Sequence, residues 1–252
     1  MLIREKIRNF ARFFMEPNTY IHHISKEQVN LLPVVQFNGD VQVIDRPEQV
    51  PQAVAYLRTQ SVLGVDTESR PSFTRGVHYP TALVQISSTE RCYLFRLTHV
   101  GMPEELAGIF ADPAICKVGL AFKDDLNGLR RRRQFVPRGC VDLQSIVGQY
   151  GILDLGLQKI FAICFGQKIS KAQQLTNWEN SHLTPEQARY ASTDAWATLL
   201  IYLDLMKHER LPKKEAERLH QAELERQQQH QQDIINARNS GMVSAAPTAP
   251  KA

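Results

Sequence analysis

The sequence predicts a domain of the α/β class, because short apolar runs that suit strands alternate with longer segments that suit helices. Of the 252 residues, 43% are hydrophobic, which is enough to bury a sizeable core. The expected strands are 41–44, 62–67, 82–86, 92–95, 115–118 and 140–141. The expected helices are 48–58, 104–110, 125–132, 143–150, 155–164 and 185–207.

Two of these elements have especially clear local signals. The run 62–67 is short, apolar and rich in valine, which suits a buried central strand. The last helix has a defined start, because Thr184 is a preferred N-cap, Pro185 suits the first turn and Gln187 completes a capping box. These signals place one strand and one long helix with little ambiguity.

Two carboxylates stand at the end of the central strand. Asp66 and Glu68 project from one face because strand side chains alternate with period two, whereas Thr67 points away. Like charges this close repel each other unless a cation lies between them, so the pair suits a divalent metal ion. The D-x-E pattern by itself also fits a solvated strand end.

Two further acidic segments supply candidates on other elements. Asp124 and Asp125 lie where the fifth predicted strand leads into a helix. Tyr190 and Asp194 are four residues apart on the last predicted helix, so the phenol and the carboxylate share one helical face. Three acidic clusters on three elements can therefore converge as one site.

With these three motifs in this order, the chain resembles the DEDD superfamily of 3′-5′ exonucleases. The tyrosine four residues before the last aspartate is typical of the DEDDy subtype, and Arg189 stands where the other subtype carries its histidine base. The chain is similar to RNase D-like proteins and to the exonuclease domain of the Werner-syndrome helicase over about residues 41–205. The segments 177–179 and 183–188 resemble the family's approach to its third motif. The resemblance implies a ribonuclease H-like fold, a mixed central sheet flanked by helices.

The resemblance also implies an activity. It points to hydrolysis of phosphodiester bonds from the 3′ end of single-stranded DNA or RNA, with release of nucleoside 5′-monophosphates. Two Mg²⁺ or Mn²⁺ ions about 3.5–4 Å apart supply the chemistry in such sites, and these hard cations prefer carboxylate ligands. The expected metal ligands are Asp66, Glu68, Asp125 and Asp194, with Tyr190 orienting the attacking water or accepting its proton. The alternative is a catalytically silent nucleic-acid-binding or scaffold module of the same fold.

Asp125 competes with its neighbour for the second motif. The family pattern places the acid immediately before an apolar residue, which favours Asp125, followed by Leu126. Asp124 is then interpreted as the N-cap of the helix, as are Asp142 and Asp154 for the two helices that follow. Asp142 also resembles a fifth acid of the site.

Thr67, Phe73 and Lys171 are the expected substrate contacts. The segment after the first motif borders the nucleotide in relatives, so Phe73 is a candidate to stack on a terminal base, and its alternative is a hydrophobic loop anchor. Lys171, three residues after Lys168, is expected to contact the nucleic-acid backbone. The arginine run at 130–133 suits phosphate binding and a solvated helix end equally.

Composition divides the chain into three regions. They are a basic amphipathic extension at 1–26, the exonuclease domain at 27–208 and a charged, Gln-rich tail at 209–252. Within the tail, 211–226 suits a solvated helix and the last 15 or so residues suit disorder. Residues 1–15 are expected to form a helix that packs on the core, and the alternatives are a presequence or a membrane-surface anchor.

The sequence also sets expectations about compartment and partners. No apolar run reaches the roughly 20 residues that cross a bilayer, so we expect a soluble protein with no membrane span. The four cysteines form no C-x-x-C pair and suit core thiols in a reducing compartment, so we expect a cytoplasmic location. The expected partner is single-stranded nucleic acid, and nothing in the sequence selects DNA over RNA or names a protein partner.

Overall fold

The computed structural model describes residues 20–74 and 76–239. These residues form two compact units, one ending at Arg210 and the other beginning at Leu211. The amphipathic helix expected at 1–15 and the end of the expected disordered tail, 240–252, lie outside the described residues. Within the described part of the chain, no helix is both long enough and apolar enough to cross a membrane.

The first unit is built on a six-stranded mixed sheet, in which the strands stand in the order β1-β4-β3-β2-β5-β6. The antiparallel pairs are β2 with β3 and β3 with β4, and the other neighbours are parallel. All six predicted strands are confirmed, and β2 continues two residues past its predicted end. The strands are β1 Asp40–Ile44, β2 Val62–Ser69, β3 Thr81–Ser87, β4 Arg91–Arg96, β5 Cys116–Gly119 and β6 Cys140–Asp142.

Helices flank this sheet, as the α/β class predicts. In the first unit they are α1 Lys26–Asn30, α2 Val50–Leu57, α3 Leu97–Val100, α4 Glu104–Ala111, α5 Phe122–Arg132, α6 Leu143–Ile146, α7 Leu157–Phe165 and α8 Pro185–Leu205. The sequence did not predict the short α1 and α3. The second unit contains α9, Lys213–Asn239, which is longer than the helix expected at 211–226.

Helix N-caps agree with the sequence in two places and disagree in two. Thr184 forms the predicted capping box with Gln187, and Asp142 accepts a hydrogen bond from the Gln144 amide. The predicted N-cap at Asp124 is wrong, because α5 begins earlier, at Phe122. The N-cap at Asp154 is also wrong, since α7 begins only at Leu157. Two hydrogen bonds show the role of Asp154 instead. Its carboxylate accepts one from the Ile24 backbone amide and one from the Lys159 ammonium group.

The two faces of β2 are covered by different helices. On one face, a Cβ at Gly64 would lie 2.0 Å from the Ala195 carbonyl oxygen, so only glycine permits α8 to lie this close to the strand. On the other face, Leu63 and Val65 pack in a core shared with α2, α4 and α5. The even-numbered residues of β2 therefore face α8, and the odd-numbered residues face α5.

Candidate active site

Three carboxylates converge where the end of β2 meets α8. Asp66 and Glu68 follow Gly64 on the even-numbered face of the strand, and Asp194 lies on the helix that this face contacts. One carboxylate oxygen from each of the three residues lies within 4.8 Å of the others. The alternation expected from the sequence therefore places both strand acids opposite the third.

Burial and mutual repulsion shape the electrostatics of this cluster. Burial is the main cause that raises the pKa of Asp66 well above its usual range, and the charges of Glu68, Asp194 and Asp125 raise it further. Burial and the neighbouring carboxylates raise the pKa of Glu68 to about 9, and burial raises that of Asp194 to about 7. Without a cation, the cluster holds protons at neutral pH.

A second feature of the cluster is the hydrogen bonding of the Asp194 carboxylate. Among the described residues, the buried Oδ1 atom of Asp194 has no hydrogen-bond partner. A buried carboxylate oxygen without a partner is costly unless a proton or a cation satisfies it. Grouped carboxylates also form the donor set that Mg²⁺ and Mn²⁺ prefer. The residues present therefore fit a divalent cation.

Asp125 is not one of the three acids that lie within 4.8 Å of one another and belongs to the opposite layer of the fold, but its charge raises the pKa of Asp66 and Glu68. It lies in the first turn of α5, on the side of the sheet that Thr67 faces. The Thr67 hydroxyl donates a hydrogen bond of 2.5 Å to Oδ1 of Asp125. Burial raises the pKa of Asp125 to about 7, although the bond from Thr67 lowers it. Thr67, which we expected to contact substrate, thus holds the side chain of a predicted metal ligand.

The two neighbouring aspartates differ in position, and this difference gives a direct prediction. Asp125 is half-buried and bonded to Thr67, whereas Asp124 is exposed. We expect Asp125→Asn to lower the nuclease rate by about 100-fold or more, because an amide is a poor ligand for a hard cation. The matched variant Asp124→Asn should stay within about threefold of the unaltered protein. Steady-state kinetics on a labelled oligonucleotide measures both, and a larger loss at Asp124 would reverse the assignment.

Tyr190 lies one helical turn before Asp194 and is mostly buried. Its ring packs against the buried Trp178, with 6.0 Å between ring centroids. Burial, followed by the charges of Asp194 and Glu68, raises the pKa of the Tyr190 hydroxyl. The phenol is therefore neutral at physiological pH and suits the donation of a hydrogen bond.

Two cavities are lined in part by the loop 170–178. The first, of about 340 Å³, is lined by Arg70, Phe73, Tyr79, Leu175 and others. Phe73 is 86% exposed, so the alternative interpretation as a loop anchor is wrong. The Arg70 guanidinium lies 4.8 Å from the centroid of the Tyr79 ring, a cation–π contact in the wall of this cavity.

The second cavity, of about 200 Å³, borders Tyr190. Its other lining residues come from two loops and from the first turns of α8, and they include Gln36, Gln173 and Arg189. Residues 170, 172 and 173 line this second cavity, and residues 175 and 177 line the first. One loop therefore contributes a wall to both cavities.

The basic residues singled out from the sequence fall into two groups. Lys171 is exposed, and its charge lowers the pKa of Asp194, so its ammonium group acts on the cluster. Lys168 instead donates a hydrogen bond to the Asn30 carbonyl. In the arginine run, Arg132 bonds the carbonyls of Thr81 and Leu97.

Arg133 likewise donates a hydrogen bond to the carbonyl of Met102, and Arg131 donates one to that of Asn127, so three of the four arginines bond carbonyls of this chain. Sequence reasoning missed Arg96, which is buried and donates hydrogen bonds to the carbonyls of Asn180 and Ser181, close to Trp178 in the chain. No local sequence pattern indicates these hydrogen bonds, because their acceptors are backbone atoms from a distant segment.

Comparison with known proteins gives a consistent picture. A family model described as a 3′-5′ exonuclease matches residues 41–209. The mouse exonuclease 3′-5′ domain-containing protein 2 is 32% identical over 157 residues, covering 58% of this chain and 24% of that protein. An Arabidopsis thaliana 3′-5′ exonuclease is 27% identical over 195 residues, covering 71% and 68%. The chain thus spans about a quarter of the first of these curated relatives.

Solved structures share the architecture. The exonuclease domain of Aedes aegypti Nibbler superposes with a TM-score of 0.63 at 21% identity, covering 69% of this chain and 92% of that one. Escherichia coli RNase D, an exoribonuclease involved in structured RNA processing, gives 0.61 at 24% identity, covering 67% and 44%. Trypanosoma brucei RNase D in complex with RNA U12 gives 0.62 at 19% identity, covering 70% and 65%. These likenesses confirm the ribonuclease H-like fold.

Proposed function

Because this chain belongs to the 3′-5′ exonuclease family, whose model matches residues 41–209, we propose that it hydrolyses phosphodiester bonds from the 3′ end of single-stranded DNA or RNA. The products of this reaction are nucleoside 5′-monophosphates. The observation that carries the proposal is the convergence of Asp66, Glu68 and Asp194 within 4.8 Å. A catalytically silent module of the same fold has no need for such a costly group of partly buried acids.

The proposed mechanism divides the work among the site residues. Asp66, Glu68, Asp125 and Asp194 would hold two divalent cations, Mg²⁺ or Mn²⁺. When bound, such ions make a water molecule nucleophilic near neutral pH and stabilise the charge on the attacking and leaving oxygens. Tyr190 orients the attacking water by hydrogen bonding. The raised pKa of its hydroxyl supports positioning over proton abstraction.

The exposed side chain of Phe73 supports a single-stranded substrate. An aromatic ring that is 86% exposed at the edge of a cavity is a suitable platform for an unpaired base. We expect Phe73→Ala to raise the KM for an oligonucleotide about 5- to 150-fold, since stacking contributes roughly 1–3 kcal/mol per base. Phe73→Trp, which keeps an aromatic face, should preserve the KM. If alanine and tryptophan give the same KM, the stacking role is incorrect.

Lys171 is proposed to contact the backbone of the substrate. We expect Lys171→Glu to weaken the binding of single strands and to reduce the slope of log K against log salt by about 0.7. Lys26→Glu makes the same charge change at an exposed position on α1 and serves as the control. Fluorescence anisotropy over a salt series measures both slopes, and equal slopes would dismiss the contact.

The decisive experiment is digestion of 5′-labelled single-stranded DNA and RNA oligonucleotides with Mn²⁺ or Mg²⁺, compared with chelator. A ladder that shortens from the 3′ end only with metal supports the proposal and identifies the preferred sugar. Fragments that start from internal cuts contradict it. Intact strands that nevertheless bind the protein favour the silent module. The assay includes RNA because Trypanosoma brucei RNase D, which shares this fold, was solved in complex with RNA. The cytoplasmic location of this protein stays a prediction.

A further inference from the structure

The carboxylate of Asp142 joins the starts of two helices. Its Oδ1 atom accepts hydrogen bonds from the backbone amides of Ala121 and Gln144, both 3.0 Å long. Its Oδ2 atom accepts a third bond, 2.8 Å long, from the amide of Phe122. An N-cap of α6 requires only the bond from Gln144, so the other two bonds serve α5.

The start of α5 needs this support. Ala121, the residue before the helix, has φ 53° and ψ 36°. It is the only non-glycine residue with positive φ among the residues that the structure describes. This left-handed conformation is unfavourable for any residue with a Cβ atom. Nor does the side chain of Ala121 cap the helix. The two amide bonds to Asp142 therefore compensate for a strained turn.

This turn determines where Asp125 lies. Asp125 is in the first turn of α5, three residues after Phe122, and its carboxylate meets the Thr67 hydroxyl across the sheet. If the start of α5 moves, the first turn of the helix moves with it. Small displacements of a site residue lower the catalytic rate. Asp142 itself sits beside this turn because β6 pairs with β5, with Asp142 opposite Gly119.

We propose that Asp142 is a positioning residue of the active site, which fixes the start of α5 and thereby places the Asp125 carboxylate at the Thr67 hydroxyl. The inference rests on the proposed function, because it assigns Asp142 a task in that same site. Asp142 is thus neither a fifth metal ligand nor only the N-cap of α6.

The informative variant is Asp142→Ser. Serine is a good N-cap and retains an acceptor for the Gln144 amide, but its single short hydroxyl cannot also bond the amides of Ala121 and Phe122. We expect kcat to fall about 10- to 100-fold, with the KM for the oligonucleotide within about threefold. We also expect the affinity for Mn²⁺, measured by titration calorimetry, to fall about tenfold. Amide hydrogen exchange at residues 121–125 should accelerate.

Two companion variants separate positioning from general stability. Ser25→Ala removes the N-cap of α1 and should lower the melting temperature without changing kcat or Mn²⁺ affinity. Ala121→Gly removes the cost of the left-handed turn, so in the Asp142→Ser background it should restore kcat by about threefold or more.

The outcomes distinguish this inference from the function on which it rests. If Asp142→Ser behaves like Ser25→Ala, with a lower melting temperature but unchanged kcat, Mn²⁺ affinity and amide exchange, the positioning role is overturned. If the unaltered protein cleaves neither DNA nor RNA, the proposed function fails. The inference is then decided by Mn²⁺ affinity and amide exchange alone. It is refuted if Asp142→Ser leaves both of these quantities unchanged.

Discussion

Asp66→Asn is expected to lower the exonuclease rate by about 1,000-fold or more, a loss of roughly 4 kcal/mol of transition-state stabilisation. Asp66 contributes one of the three carboxylates whose oxygens lie within 4.8 Å of one another, so its replacement removes one of the proposed metal ligands. In the metal-free protein, the same substitution removes one of several repelling buried carboxylates. We therefore expect the melting temperature in chelator to rise, while activity is lost.

The opposite signs of these two effects make the test specific. A misfolded variant loses both activity and stability, whereas a ligand variant loses activity alone. Asp233→Asn, an exposed acid of the second unit, is the matched control and should change neither property. Kinetics with Mn²⁺ and thermal melts in chelator measure the two effects. Activity within about tenfold of the unaltered protein would contradict the central role of Asp66.

Metal-free protein is expected to lose stability as the pH rises from about 4.5 to about 9. Burial raises the pKa values of Asp125 and Asp194 to about 7, and burial together with neighbouring carboxylates raises that of Glu68 to about 9. In the unfolded chain these acids titrate near pH 4. Between the two pKa values the folded state binds more protons than the unfolded state. The contribution of these acids to stability is therefore greatest at low pH and falls as the pH rises.

The expected change is large. One pKa unit corresponds to about 1.4 kcal/mol, and 1 kcal/mol moves the melting temperature of a domain of this size by roughly 2–4 °C. We expect a decrease of at least about 5 °C across this pH range in chelator, and a recovery when Mn²⁺ is added. Since bound metal replaces protons, calorimetry in two buffers of different ionisation enthalpy should detect proton release.

Asp66→Asn supplies the comparison for this second prediction. With one repelling carboxylate removed, the melting temperature of the variant should depend less steeply on pH. If the melting temperatures of both proteins are flat between pH 5 and pH 9, roughly the range of the shifted groups, the acids do not titrate as their burial requires. If Mn²⁺ stabilises both proteins equally at high pH, the ion binds elsewhere.

Much of the fold and part of the site follow from local patterns. The capping box at Thr184 and the apolar run that forms β2 were predicted from a few neighbouring residues each. The predictions at Asp124 and Asp154 are wrong for one reason. A residue type that is favoured at the N-cap does not occupy that position when the helix begins at another residue. At the start of α5, the backbone turn depends on hydrogen bonds to Asp142, which is 21 residues away in the chain.

The sequence by itself determined which acids share a face. The alternation of a strand places Asp66 with Glu68, and the period of a helix places Tyr190 with Asp194, because both periods are properties of the local backbone. Only the tertiary structure decided that these faces meet, that Thr67 holds Asp125, and that Asp142 supports the turn before it. Burial, pKa and hydrogen bonding between distant segments depend on which surfaces pack together, and no local period encodes that packing.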